Sequence, residues 1–174
     1  MKKYLSVIPL VFLLCFVVGC QQYYEEPIEE AAEETQMTEE ARASVSASVE
    51  QAFSEFVDAM TQTDWNRMYQ FMLEGDEFVF AADGEVISGK ANFLNSHKEA
   101  TGAVKEFNTI EYPQKYIYVL SKDAAVITIE YDESYTSVSD DIIRLRGSWI
   151  YVFHRINDEW KIVHTGGTHI PVTE

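Results

Sequence analysis

Residues 149–164, with the sequence WIYVFHRINDEWKIVH, contain two runs of alternating apolar and polar residues on either side of Asn157 and Asp158. Alternation with a period of two is typical of strands that bury one face, and the two polar residues between the runs favour a tight turn. A two-residue turn would pair Tyr151 with His164 and place both side chains on one face of the sheet. The stretch therefore predicts a long antiparallel hairpin with an aromatic inner face.

Three of the four histidines lie in or just after this hairpin. The predicted alternation places His154 and His169 on the face opposite to His164, so the three rings do not converge. A zinc or iron site needs three or four ligands around one ion, and the sequence has no HExxH or comparable spacing. We therefore expect no metal and no cofactor.

The residues before and within the hairpin predict four long strands, at residues 104–120, 123–136, 142–156 and 159–169. Polar, turn-forming residues separate each strand from the next. Pro113 cannot donate a backbone hydrogen bond, so it predicts a sheet edge or a bulge within the first of these strands.

Helical spacing of apolar residues begins at Ser44 and predicts one long amphipathic helix. Asp64 is placed to cap a second helix that ends at Gly75. Residues 83–84 are Asp-Gly, which is a strong hairpin-turn signal, and a short third helix that carries His97 follows. Helices followed by a run of strands indicate an α+β fold.

Residues 63–65, 83–84, 87–90 and 149–164 together resemble the nuclear transport factor 2-like superfamily in its SnoaL-like branch. The last two strands also resemble the association domain of calcium/calmodulin-dependent kinases. The resemblance implies a SnoaL-like domain at residues 43–172. Its fold would be a cone in which three N-terminal helices pack on a curved antiparallel sheet. It does not imply one activity, because this fold supports both enzymes and binding modules.

The resemblance also implies a pocket inside the cone. We expect the pocket to be lined by His97, Tyr118, Glu130, Trp149, Tyr151 and His164. His164 would either act there as a general acid or base, or pack as a core histidine with one hydrogen bond. Kinase association domains carry an arginine at the position that aligns with Tyr151, so the fixed charge that would hold a carboxylate ligand is missing here.

The N-terminal residues 1–19 have the layout of an export signal, with two lysines followed by an apolar segment. Residues 17–20 resemble a bacterial lipobox, which predicts a lipid such as palmitate on Cys20. The alternative is an ordinary secretory signal. Lipidation implies the cell envelope, and Gln21 after the cysteine implies the outer membrane, facing the periplasm, in a Gram-negative host.

Residues 20–42 are rich in glutamate and predict a solvated acidic tether. The whole chain has a formal net charge of −16, which disfavours binding to nucleic acids. The two cysteines are Cys15 and Cys20, so a chain processed at Cys20 has no thiol for a disulfide or a nucleophile.

Taken together, the sequence predicts a lipid-anchored envelope module that binds a small, partly apolar molecule without catalysis. One alternative is an isomerase, dehydratase or hydrolase that uses His164 as its acid or base. Two others are a dimerising platform and a protein-interaction subunit that uses the acidic tether. Ile150, Val152 and Val163 make the outer sheet face half apolar, which predicts a homodimer. The alternative is that these are tolerated surface aliphatic residues.

Overall fold

The computed structural model of the protein describes residues 37–173. The described residues belong to one compact unit with its own hydrophobic core. The predicted signal sequence, Cys20 and most of the predicted tether lie outside the described residues. Within residues 37–173, no helix combines the length and the apolar content needed to cross a membrane.

The described chain alternates helical and strand segments in the order that the sequence predicts. The helices are α1 (Glu39–Thr61), α2 (Trp65–Tyr69) and α3 (Lys90–Gly102). The strands are β1 (Val79–Ala82), β2 (Glu85–Ser88), β3 (Val104–Ser121), β4 (Ala124–Ser137), β5 (Ile142–Ile156), β6 (Glu159–Gly167) and β7 (Ile170–Pro171). The four predicted long strands are thus confirmed to within about two residues at each end, the size of the usual uncertainty at element boundaries.

The strands form one sheet in the order β2-β1-β6-β5-β4-β3, and β7 pairs with β5. The predicted α+β class is confirmed. The predicted purely antiparallel sheet is corrected, because β1 runs parallel to β6. The three predicted N-terminal helices are corrected as well. The main helix is α1, α2 has five residues, and α3 follows the β1–β2 hairpin.

Helix α1 covers the inner face of the sheet with one apolar stripe. Its buried residues are Val45, Val49, Phe53, Phe56 and Ala59. The helix begins at Glu39 rather than at Ser44, because the side chain of Thr38 caps it by accepting a hydrogen bond from the backbone nitrogen of Ala41 at 3.2 Å. The start of α1 therefore lies within the predicted tether.

Helix α2 has the predicted cap, since Asp64 accepts a hydrogen bond from the backbone nitrogen of Arg67 at 3.1 Å. The helix nevertheless ends at Tyr69, well before Gly75. The reason is that the next residues pair with β6. Phe71 accepts a hydrogen bond from the backbone nitrogen of Ile162 at 2.7 Å, and the backbone nitrogen of Leu73 donates to the carbonyl oxygen of Ile162 at 2.9 Å.

The strand pairing contains several register shifts, and two of them bear on the predictions made from the sequence. The pairing of β3 with β4 shifts between Glu111 and Gln114, on either side of Pro113, so the bulge predicted from this proline is confirmed. The pairing of β5 with β6 shifts as well, because Val152 lies opposite His164 whereas Phe153 lies opposite Ile162.

The second bulge leaves Val163 as an extra residue in β6 and reverses the alternation beyond it. Tyr151 therefore lies opposite Thr165 rather than opposite His164, as the sequence predicted. Thr165 is buried, and His164 is exposed. Every inner-face assignment after Val163 changes accordingly.

Candidate functional site

A cavity of about 240 Å³ lies between the helices and the inner face of the sheet. Its wall is mainly apolar, and ten of its 23 lining residues are aromatic. The aromatic lining consists of Phe56, Trp65, Phe80, Phe93, Phe107, Tyr112, Tyr131, Tyr135, Trp149 and Tyr151. Besides the tyrosines and tryptophans, the wall has five polar or ionisable side chains: His97, Thr101, Glu133, Thr165 and His169. An apolar wall with a few polar groups is typical of small-molecule sites.

Three of the six predicted pocket residues line this cavity, namely His97, Trp149 and Tyr151. Tyr118, Glu130 and His164 are exposed and do not line it, so these predictions are wrong. For Tyr118 and Glu130 the cause is strand alternation. Val119 on β3 and Ile129 and Tyr131 on β4 are buried, so their neighbours Tyr118 and Glu130 point to the outer face. His164 points outward because of the bulge at Val163.

Thr165 takes the place that was predicted for His164. Its Oγ1 accepts a hydrogen bond from the indole nitrogen of Trp149 at 2.6 Å and donates one to the carbonyl oxygen of Ile150 at 3.1 Å. Thr165 is only 3% exposed, so both bonds are shielded from water. The hydroxyl group therefore fixes the orientation of the Trp149 ring at the cavity wall.

Tyr151 lines the cavity and packs against helix α1. Its ring is centred 5.3 Å from that of Phe53 and 5.4 Å from that of Phe56. Burial raises the pKa of Tyr151 well above its ordinary value, and the neighbouring Tyr112 and Glu133 raise it further. The Tyr151 side chain is therefore a neutral phenol at physiological pH and cannot serve as a base.

His97 reaches the cavity from α3. Its ring packs against Phe93 and Phe80, with centroids 3.9 Å and 4.6 Å away, and its Nδ1 lies 3.2 Å from the hydroxyl group of Ser96. Burial lowers the pKa of His97; the charge of His169 lowers it too, while the backbone of Phe93 acts in the opposite direction. The imidazole is therefore neutral at pH 7 and provides no fixed positive charge.

His169 also lines the cavity, although the sequence placed it on the outer face. It follows the bulge at Val163 and the end of β6, so simple alternation does not extend to it. Its Nδ1 lies 2.5 Å from Oδ2 of Asp83, and its backbone nitrogen donates to Oδ1 of Asp83 at 2.9 Å. Its ring packs 4.7 Å from the Trp149 ring. His154, which was predicted to face outward, is exposed.

Asp83 is positioned for this contact by the turn between β1 and β2. Asp83 and Gly84 both have positive φ angles, of 52° and 90°, as a tight hairpin turn requires. Partial burial acts to raise the pKa of Asp83, but the hydrogen bonds and charge of His169 outweigh it and lower the pKa. Asp83 is therefore ionised at neutral pH and holds His169 in one orientation.

Glu133 is the cavity residue that the sequence reading missed most clearly. It lies on β4 between Tyr131 and Tyr135, and all three line the cavity. Burial raises the pKa of Glu133, and the charge of His169 partly offsets this effect. Counting every second residue from Ile129 would have placed Glu133 on the inner face.

Among residues 37–173, no group of three or more histidine, cysteine, aspartate or glutamate side chains is arranged to hold an ion. The pairing of His169 with Asp83 instead supplies a ring nitrogen oriented by a carboxylate. Such a pair can position a hydrogen bond to a bound molecule or transfer a proton.

A family model of the SnoaL-like domain matches residues 49–172. No curated protein matches the sequence significantly. The resemblance to solved structures is extensive but low in identity. A nuclear transport factor 2-like superfamily protein from Salmonella enterica is 15% identical, with a TM-score of 0.65, and the match covers 76% of this chain and 96% of that one.

Two further structures show the range of proteins that share the fold. A type 2 hexachlorocyclohexane dehydrochlorinase (LinA) is 13% identical with a TM-score of 0.63, covering 78% of this chain and 94% of that one. A Xanthomonas campestris protein described as a calcium/calmodulin-dependent protein kinase II association domain is 13% identical with a TM-score of 0.60, covering 72% and 87%. At these identities the likeness establishes the fold alone. The specific resemblance to kinase association domains therefore stays a prediction.

Proposed function

Because this chain belongs to the SnoaL-like domain family, we propose that it is a binding module whose cavity holds a small, mostly apolar organic molecule. The observation that carries this proposal is the cavity wall, which is mainly apolar, rich in aromatic rings and interrupted by a few polar groups. At about 240 Å³ the cavity is smaller than the range of about 300–1,000 Å³ usual for drug-sized ligands, so the ligand is small.

The test is a screen of small aromatic and alicyclic molecules against residues 37–174, followed by thermal shift and tryptophan fluorescence. This segment forms one compact unit with its own core, which makes it suitable for such an assay. Trp65 and Trp149 line the cavity, so an occupant would change their emission.

A matched pair of variants distinguishes the cavity from the surface. Ala100→Phe would add a ring at a position of α3 that lines the cavity, whereas Ala91→Phe adds the same ring at a position of the same helix that does not. We expect ligand binding to be lost in the first variant and kept in the second. His164→Ala should leave binding unchanged, and equal binding by both phenylalanine variants would contradict the proposal.

A second candidate function is acid–base catalysis on the bound molecule, and the pairing of His169 with Asp83 beside the cavity favours it. In this reading His169, rather than His164, exchanges the proton. Any molecule that binds would be incubated with the wild type and with His169→Ala, and the products would be analysed by mass spectrometry. Turnover that requires His169 supports catalysis, and bound molecules that are recovered unchanged support a binding module.

The proposal includes attachment to the cell envelope through lipid on Cys20. The support is the sequence of residues 17–20 and the acidic segment that follows. One acyl chain gives only marginal membrane binding, whereas two or more hold a protein firmly. Cys20→Ser should therefore move the full chain from the membrane fraction to the soluble fraction. An unchanged membrane fraction would contradict lipidation.

We also propose a homodimer formed through the outer face of the sheet. Ile150 is 44% exposed on this face, and Val152 and Val163 are partly exposed beside it. Light scattering should return twice the monomer mass. Ile150→Lys should halve that mass, whereas Val86→Lys on β2 should not. A monomer mass for the wild type would contradict the dimer.

A further inference from the structure

Glu133 is a half-buried carboxylate on the cavity wall. Among the described residues, none forms a hydrogen bond or an ion pair with it, and its flanking inner-face neighbours on β4 are Tyr131 and Tyr135. Burial raises the pKa of Glu133, which reflects the free energy that the charged form loses when water is removed. A carboxylate that is shielded from water is stabilised by a positively charged partner.

The described cavity wall carries no fixed positive charge, although the charge of His169 partly offsets the burial of Glu133. Among the described residues that line it, none is lysine or arginine. His97 is neutral because burial lowers its pKa, and His169 is paired with Asp83. Tyr151 and Tyr112 have raised pKa values and remain neutral, so Glu133 is the ionisable group on the wall that most needs a partner.

The aromatic rings on the cavity wall are also suited to a cation. Tyr112, Tyr131, Tyr135 and Trp149 line the same cavity, and the negative face of an aromatic ring attracts an organic cation within about 6 Å of its centroid. An anionic ligand would meet both a carboxylate and electron-rich rings. A neutral ligand would leave the Glu133 charge unpaired. The formal net charge of −16 further favours the approach of cations.

Resting on the proposed function of the cavity, we propose that its ligand is a small organic amine, bound as the ammonium ion. The ammonium group forms an ion pair with Glu133 within the tyrosine ring cluster, and the apolar body of the ligand packs against the remaining aromatic wall. The ligand class is therefore a primary or substituted amine with a compact apolar skeleton.

The test compares three probes of similar size and different charge, namely 2-phenylethylamine, 2-phenylethanol and 3-phenylpropanoate. Binding to residues 37–174 would be measured by calorimetry at neutral pH and low salt. We expect the amine to bind at least about tenfold more tightly than the alcohol, because hydrogen bonds to a charged group are about twice as strong as neutral ones. The carboxylate probe should bind weakest.

Glu133→Gln keeps the size of the side chain and removes its charge. In this variant the dissociation constants of the amine and the alcohol should differ by no more than about threefold, because the charge-assisted hydrogen bond to Glu133 is gone. Glu106→Gln is the matched control, because Glu106 is an exposed residue of β3 that does not line the cavity. This control should retain the preference for the amine.

The outcomes separate the ligand class from the binding function. The amine assignment would be wrong if the amine and the alcohol bound equally to the wild type, or if Glu133→Gln kept the preference for the amine. Either result would still be consistent with a binding module. Tighter binding of the carboxylate would have the same two consequences. Failure of all three probes up to millimolar concentration would count against both proposals.

Discussion

Gly166→Ala is the substitution that most directly tests how the cavity is built. Gly166 lies on β6 and is paired with Ala81 on the parallel strand β1. An alanine Cβ at position 166 would lie 2.0 Å from the carbonyl oxygen of Ala81, whereas ordinary van der Waals contact begins at 3.4 Å. The obstacle is backbone, so rotation of a side chain cannot relieve it. The two strands would have to separate by about 1.4 Å.

The size of the effect follows from that separation. Overpacking a close-packed site costs about 1–3 kcal/mol, and each backbone hydrogen bond that is lost adds about 1 kcal/mol. We therefore expect the free energy of unfolding to fall by about 3 kcal/mol or more. For a domain of this size each kcal/mol lowers the melting temperature by roughly 4 °C, which gives a decrease of about 12 °C.

The same change should impair the cavity. Strand β1 contributes Phe80 to the wall and leads into Asp83, so a displaced β1 weakens the contact between Asp83 and His169. Ligand affinity should fall by more than the loss of folded protein accounts for. Binding should therefore be measured by calorimetry well below the melting temperature of the variant.

Gly102→Ala is the matched control, because a Cβ there meets no atom within 4 Å and the backbone angle is ordinary. Its stability should stay the same or rise by up to about 1 kcal/mol. The assay is urea unfolding, with thermal melts in parallel. A melting temperature for Gly166→Ala within about 2 °C of the wild type would refute the reasoning, since it would mean that β1 and β6 separate without cost.

Three smaller changes should give graded results. Thr165→Val removes the acceptor of the buried Trp149 indole and should cost about 1–3 kcal/mol in urea unfolding, more than Thr165→Ser, which keeps the hydroxyl group; equal losses would contradict this. Asp83→Asn keeps the turn but removes a carboxylate whose pKa is lowered in the folded state. The wild type should therefore have a larger free energy of unfolding than the variant at neutral pH, and this difference should disappear as the pH falls below 3.8. The difference at neutral pH should be under about 1 kcal/mol, because the Asp83 side chain is 47% exposed. A stability difference between wild type and variant that grows at acidic pH would contradict this prediction. Thr38→Ala should cost about 1 kcal/mol by removing the cap of α1, and an unchanged melting curve would contradict that.

Much of the fold could be predicted from local pattern. The tight turn at Asp83 and Gly84, the long strands, and the bulge beside Pro113 all follow from residue chemistry that acts over a few positions. Trp149 and Tyr151 were placed correctly on the inner face for the same reason, because no irregularity separates them within β5.

The candidate site could not be predicted as well, because it depends on contacts between distant segments. The bulge at Val163 has no proline or glycine to mark it, yet it turns His164 outward and Thr165 inward. The contact of His169 with Asp83 joins residues 86 positions apart. Helix α2 ends early for a related reason, since Phe71 and Leu73 pair with Ile162, and the spacing of their side chains cannot reveal that.

The extra residue in β6 bears on how this sequence is compared with its relatives. If Val163 were deleted, the remaining residues would alternate regularly and would leave Ile162 and Thr165 inward and His164 outward, as they are now. An ungapped alignment with a relative that has an unbulged strand would therefore match His164 to an inward-facing position. A one-residue gap at Val163 aligns the inward-facing residues of the two chains again. Active-site residues should therefore be transferred from a relative to this chain only with that gap in the alignment.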